Sequence, residues 1–120
     1  MKPCSKKMTL KIYGNKIIAH MIIFEFKKYG PYLGTRQLGA RIREELLPIV
    51  KGEEKVELNF EGVEVVSNSF ADECLAKLLY EFSIDELKKR TTFSCLNDFA
   101  KKNIVIAFRR RSNAIKKEAS

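Results

Sequence analysis

The chain has 120 residues, 45% hydrophobic and 32% charged, with a formal charge of +8, a balance that suits one globular domain with a core of its own. No apolar run approaches the roughly 20 residues that span a bilayer. Met21-Ile22-Ile23-Phe24 is interrupted at Glu25 and Lys27, and no apolar signal core follows the basic N-terminus, so a cytoplasmic protein off the membrane is expected.

Met8 to Tyr13 alternates in hydrophobicity and reads as a strand. Gly14-Asn15 suits a two-residue hairpin turn, because both residues accept positive φ. Ile17 to Phe26, rich in β-branched and aromatic residues, is the expected returning strand, with a bulge or break near His20. Gly30-Pro31-Tyr32-Leu33-Gly34 reads as a turn, and Thr35 as the N-cap of a helix from Arg36 to about Val50. Leu38, Ile42, Leu46 and Ile49/Val50 form its apolar stripe; Arg41, Arg43, Glu44 and Glu45 point elsewhere. Pro48 is the conflicting signal inside this span, one that would end the helix a turn early.

Gly52 and its charged neighbours make the next turn, and Val56, Leu58 and Phe60 alternate with Glu57 and Asn59 in a half-buried strand. After Glu61-Gly62, the valines Val63, Val65 and Val66 return the chain to the core. Ser69 with Asp72 forms an S-x-x-D capping box, and Phe70, Cys74, Leu75, Leu78, Leu79 and Phe82 recur at helical spacing. Ser83 with Glu86 forms a second capping box, so Ile84 to Arg90 reads as a short following helix or a kinked extension of the one before. Thr91 to Leu96 reads as a strand, and Asn97 as the cap of a last helix. Ile104 to Phe108 is ambiguous: its β-branched residues favour a strand, while the helical step of Phe99, Asn103 and Ala107 and the run into Arg109-Arg110-Arg111 favour its continuing the helix. Regular structure is expected over about residues 8–111, with 112–120 a flexible basic tail.

The order is β-β-α-β-α-(α)-β-α. Strands separated by helices imply βαβ units. The fold class is therefore α/β: one domain with a small mixed sheet, an antiparallel hairpin at its start and helices mainly on one face.

Charge is unevenly spread. Residues 1–34 carry seven Lys and one Glu, residues 35–87 six basic and twelve acidic residues, and residues 88–120 ten basic and two acidic ones. The net charges are +6, −6 and +8. A basic protein binding nucleic acid through its cationic ends, with Arg109, Arg110 and Arg111 as the patch, is the alternative functional reading. No aromatic residues interleave those arginines as stacking platforms would. The three cysteines, Cys4, Cys74 and Cys95, are scattered without a CxxC pair, and His20 is the single histidine. A zinc site needs about four ligands with local spacing, so neither metal nor cofactor is expected, and the cysteines read as buried, reduced, structural thiols.

The functional candidates lie where strands feed helices. Ser67-Asn68-Ser69, followed by Asp72-Glu73, places backbone N–H groups and small hydroxyls at one exposed point that can bind an anion, accept a phosphate or dock a partner. Gly34-Thr35-Arg36 forms a second helix start, with Arg36 available for a carboxylate or phosphate. Asp72 and Glu73 are adjacent on a helix and point about 100° apart, so they do not form a paired-carboxylate catalytic site. The chain has no P-loop, GxGxxG, GxSxG or metal-ligand cluster, and no catalytic residue is assigned.

These residues carry a family resemblance. Leu58-Asn59-Phe60-Glu61-Gly62-Val63, followed by Ser67-Asn68-Ser69 at a helix start, is similar to the strand–loop–helix of STAS domains, the sulfate-transporter and anti-sigma-factor-antagonist class. Tyr32-Leu33-Gly34-Thr35-Arg36-x-x-Gly39, then Phe60-x-Gly62-Val63, then Ser67-x-Ser69-Phe70-Ala71-Asp72-Glu73 resembles more specifically the small prokaryotic STAS-like family of undefined function. The resemblance implies a non-enzymatic regulatory module whose partner is a protein of the kinase-like ATPase type, with a nucleotide or other anion as the alternative ligand. It also implies a switch by phosphorylation of a serine at the helix start. Aligning Gly62-Val63 with the same pair in the antagonists puts Asn68, which cannot accept phosphate, at that position, with Ser67 and Ser69 on either side.

Overall fold

The computed structural model describes residues 10–13, 16–19 and 21–119. Strands β1 (Leu10–Tyr13) and β2 (Lys16–Ala19) pair antiparallel, Leu10 opposite Ala19 and Tyr13 opposite Lys16. The expected turn at Gly14-Asn15 and break at His20 lie outside the described residues, as does Cys4. Strand β3 (Met21–Glu25) leaves this ribbon and joins a second, parallel sheet, so the hairpin is a separate ladder rather than the first two strands of one mixed sheet.

That sheet has the order β3-β5-β7, with β5 (Lys55–Asn59) between β3 and β7 (Thr91–Ser94). Parallel register places Ile22, Val56 and Thr91 in one row and Phe24, Leu58 and Phe93 in the next. The period of two sends Phe24, Val56 and Leu58 into the core, and Phe26 and Phe60 continue that face with rings stacked 4.1 Å apart. The opposite face carries Glu57, Asn59 and Ser94. Buried Asn59 accepts a bond from the Glu61 N–H at 2.8 Å, and the Ser94 hydroxyl donates to Glu57 at 3.0 Å.

A third ladder matters most for function. β4 (Tyr32–Leu33) and β6 (Val65–Val66) pair in parallel, which adds a short strand where the sequence reads only a turn. Each then turns directly into a helix. α1 (Arg36–Lys51) follows β4, and its cap is Thr35 as expected, the hydroxyl accepting the Leu38 N–H at 3.1 Å. The helix does not stop at Pro48. That proline is exposed, whereas Val50 beyond it is fully buried, so packing carries the last turn through to Lys51.

α2 (Asn68–Cys74) follows β6, and its cap is Ser67, not Ser69. The Ser67 hydroxyl accepts the Phe70 N–H and donates to the Gly34 carbonyl, both at 3.0 Å. Ser69 is thereby inside the first turn, and that turn carries no acidic residue; Asp72 and Glu73 lie further along. The apolar repeat expected as one helix is broken: α2 gives way to a 3-10 turn, Ala76–Tyr80. α3 (Ile84–Arg90) is capped by Ser83 as expected.

β7 ends at Ser94, and Cys95 takes a left-handed conformation with φ 61°, so the strand is two residues shorter than expected. Cys74 is a buried free thiol that burial pushes well above its ordinary pKa. Cys95 corrects the expectation of a reduced, buried thiol: it is half-buried and disulfide-bonded. Asn97 caps α4, accepting the Ala100 N–H at 2.7 Å. α4 (Asp98–Ala119) includes the ambiguous stretch 104–108 and continues through the segment expected as a tail, because Arg111, Ala114 and Ile115 still pack partly against the domain. No described helix is long and apolar enough to cross a membrane.

Helix α2 packs between α1 and α4 over the core. Gly39 sets the α1–α2 distance. A Cβ there would lie 3.1 Å from the Glu73 Cβ, 3.2 Å from the Phe70 carbonyl oxygen and 3.3 Å from the Cys74 nitrogen. Two of these three atoms are backbone and cannot swing aside. Gly39→Val is expected to lower stability by about 2–3 kcal/mol, despite valine's better helix propensity, as read by urea unfolding. An unchanged midpoint would show that the two helices are not in this close contact.

Candidate functional site

The parallel pairing of β4 with β6 puts the starts of α1 and α2 side by side. The Ser67 N–H donates to the Leu33 carbonyl at 3.0 Å, and the Ser67 hydroxyl reaches the next carbonyl, Gly34. Gly34, Thr35 and Arg36 are exposed beside Asn68, while Ser67 and Ser69 are half-buried. The two candidate helix starts, 33 residues apart in the chain, therefore form one corner. α4 closes it from the third side.

Asp72 and Glu73 diverge from α2, as their 100° separation requires. Asp72 turns toward α4. Arg111 grips it with two bonds, Nε to Oδ1 at 2.9 Å and Nη2 to Oδ2, while Arg36 donates to Oδ2 at 2.9 Å. The third guanidinium nitrogen of Arg111 donates to the Tyr80 hydroxyl at 3.0 Å. Glu73 turns toward α1, where Arg43 Nη1 donates to Oε2 at 2.8 Å and also to the Glu73 carbonyl, and Lys77 Nζ lies 3.0 Å from Oε1. Arg36 reaches Glu73 as well, at 3.4 Å, so one guanidinium bridges both acids.

The side chain of Asp72 is 14% exposed and that of Glu73 11%. Burial alone would raise both carboxyls. Hydrogen bonds from Arg111 and Arg36 outweigh it for Asp72, and those from Arg43 and Lys77 for Glu73, holding both below the usual carboxylate range. The bonds to Asp72 and Tyr80 correspondingly raise Arg111, so this arginine stays charged at any physiological pH. Four cations, Arg36, Arg43, Lys77 and Arg111, meet two anions, which leaves the cluster at +2.

Beside the cluster lies a groove of about 330 Å³. Asn68, Ser69 and Asp72 line it from α2, Arg36 from α1, and Arg110 and Arg111 from α4, with Ala107 and Ala114 as its small apolar wall. Asn68 and Ser69 bond through their side chains to none of the described residues. The groove therefore offers an amide, a hydroxyl and guanidinium groups to whatever enters it.

The sequence candidates thus separate into two roles. Asn68, Ser69 and Arg36 border the groove; Ser67 and Thr35 are caps; Asp72 and Glu73 hold helices together. Arg109-Arg110-Arg111 does not form one patch. Arg111 is bound to Asp72, Arg110 enters the groove, and Arg109 lies on the opposite flank of α4. Sequence reasoning missed Arg43, Lys77 and Tyr80. The signal for Arg43 was its spacing: Arg36 and Arg43 are seven residues apart, two helical turns along one face, with Gly39 between them.

Both carboxylates stabilise the fold fully at pH values above their ordinary pKa near 4, and that contribution is lost as pH falls through their lowered folded-state values. Asp72→Asn is expected to lower stability at pH 7 by about 1–2 kcal/mol, less than for a fully buried pair because Arg36 is half in water. The variant should also lose stability less steeply than wild type between about pH 4 and pH 2. Urea unfolding across that range tests both, and parallel curves for the two proteins would contradict the clamp.

No curated protein and no solved structure matches the chain. A family model matches residues 39–99, from the Gly39 contact through the Ser67 corner to the first turn of α4. Its span covers α2, most of α1 and the whole connection between β5 and β7, which includes the Ser67 side of the corner, while Gly34–Arg36 and Arg110–Arg111 lie outside it. On that match, which takes in just over half its residues, the chain belongs to the STAS-like domain of unknown function (DUF4325) family.

Proposed function

We propose that this chain is a non-enzymatic regulatory interaction module that docks a partner protein through residues 67–73 and the start of α1. Carboxylate or phosphate oxygens of the partner would meet Arg36 and Arg110, while Asn68 and Ser69 supply orienting hydrogen bonds. The observation that carries this reading is the arginine-lined groove at the corner where two capped helix starts meet. Membership of a STAS-like family supports it, and the regulatory role and the kinase-like ATPase type of partner rest on that likeness.

The acids of the corner also favour binding over chemistry. Asp72 and Glu73 are held ionised by guanidinium and ammonium partners, so neither is a proton donor at neutral pH, and their lowered basicity makes them weak bases. A phosphate on Ser69 would lie in the same groove as Arg36, Arg110 and Arg111, which would offset its charge of about −2. Asn68, at the position implied for the switch in the antagonists, leaves Ser69 as the groove's own hydroxyl.

Co-purification of the tagged chain from its native cells, compared with Arg110→Glu and Ser69→Glu, tests the proposal. The expected result is a stoichiometric protein partner that both variants lose, with the thermal unfolding of each variant unchanged. A partner that survives both substitutions would place docking elsewhere. Retention of a nucleotide in place of a protein would make the groove a small-anion site.

A further inference from the structure

The opposite flank of α4 carries a second surface that is unlike the Ser67 corner. A groove of about 760 Å³ runs along α4 from Lys101 to Lys116, with α3, β7 and the segment after β7 as its other wall. Its floor is apolar: Ile84, Phe93, Leu96, Val105 and Phe108. Ile84 and Val105 are each 45% exposed and Phe93 37%, so large apolar side chains face solvent along this groove. A further hollow of about 340 Å³ shares Ile84, Phe93 and Phe108 with it and reaches down to Leu87.

The charged residues of the rim are all cationic, with Ser112 and Asn113 as its neutral polar members. Lys88, Lys101, Arg109 and Lys116 border the groove, and among the described residues its lining includes no Asp or Glu. None of these four cations is held in an ion pair among the described residues. The 15-residue spacing from Lys101 to Lys116 corresponds to about 22 Å of helix axis, or four turns.

We propose that this groove docks an acidic amphipathic helix of a partner protein, about four turns long. Its apolar stripe would cover Phe93, Val105 and Phe108, and its carboxylates would meet the four cations. The groove lies between α4 and the wall made by α3 and β7, a shape that suits the cylinder of a helix better than a flat bilayer. The acidic middle of the Ser67 corner plays no part here, so the two surfaces can be occupied independently.

The test uses the full chain and a fluorescein-labelled 18-residue peptide with a leucine stripe at helical spacing and glutamate elsewhere, followed by fluorescence anisotropy. Saturable binding is expected, weakened at least about tenfold by Val105→Glu and by Lys101→Glu/Arg109→Glu, and unchanged by Arg110→Glu. All four positions are exposed, so folding is expected to survive, and far-UV circular dichroism checks it. A peptide of the same composition with the stripe scrambled should not bind. Equal binding of the scrambled peptide, no binding of the striped one, or indifference to Val105→Glu would overturn the proposal. So would stronger capture by phosphatidylglycerol vesicles than by the peptide, which would make this a lipid-facing surface.

Discussion

Two carboxylates on one short helix, Asp72 and Glu73, have to be neutralised, because each is taken largely out of water. Their cations all come from outside that helix. Arg36 and Arg43 reach in from α1, Arg111 from α4 and Lys77 from the turn just beyond α2. Satisfying the charges therefore fixes the mutual position of three helices. Removing one partner strands a charge rather than merely deleting a contact, so the arrangement tolerates loss poorly. Gly39 permits the close approach of α1 to α2, since a Cβ there would crowd Glu73, Phe70 and Cys74 and need the two helices to give by a few tenths of an ångström.

The surfaces follow from this clamp. With Arg111 bound to Asp72, Arg110 and Arg109 are directed to opposite flanks of α4, one toward the Ser67 corner and one toward the apolar groove. Three consecutive arginines thus have three separate environments on a single helix, because successive residues turn by 100°. The β4–β6 ladder contributes the other half of the corner by joining the starts of α1 and α2 through the Ser67–Gly34 hydrogen bond. A four-residue ladder is weak on its own and is held by what surrounds it, including fully buried Leu33 and Val66.

Much of this was legible from local signals. Thr35, Ser83 and Asn97 cap as their side-chain chemistry requires, and the stripe Ile42, Leu46, Val50 faces the core. The alternation Val56, Leu58, Phe60 identified the central strand. Where local signals competed, tertiary contacts decided. Ser67 and Ser69 both offer a capping hydroxyl, and only Ser67 also reaches the Gly34 carbonyl across the ladder. Pro48 argued for a helix end, and the burial of Val50 overrode it. The β4–β6 pairing spans two residues on each side, too short for any periodicity to reveal. Apart from Lys77, four residues from Glu73, the charged partners of Asp72, Glu73 and Arg111 lie 30 to 39 residues away, beyond any local window of sequence.

The coupling between Asp72 and Arg111 is the most direct measure of whether this clamp organises the molecule. A double-mutant cycle with Asp72→Asn, Arg111→Met and the double variant, read by urea unfolding at neutral pH and low salt, isolates it. A favourable coupling of about 1 kcal/mol or more is the predicted result, in keeping with a bidentate, largely desolvated pair. A coupling below about 0.3 kcal/mol, the level of an ordinary surface pair, would contradict the account.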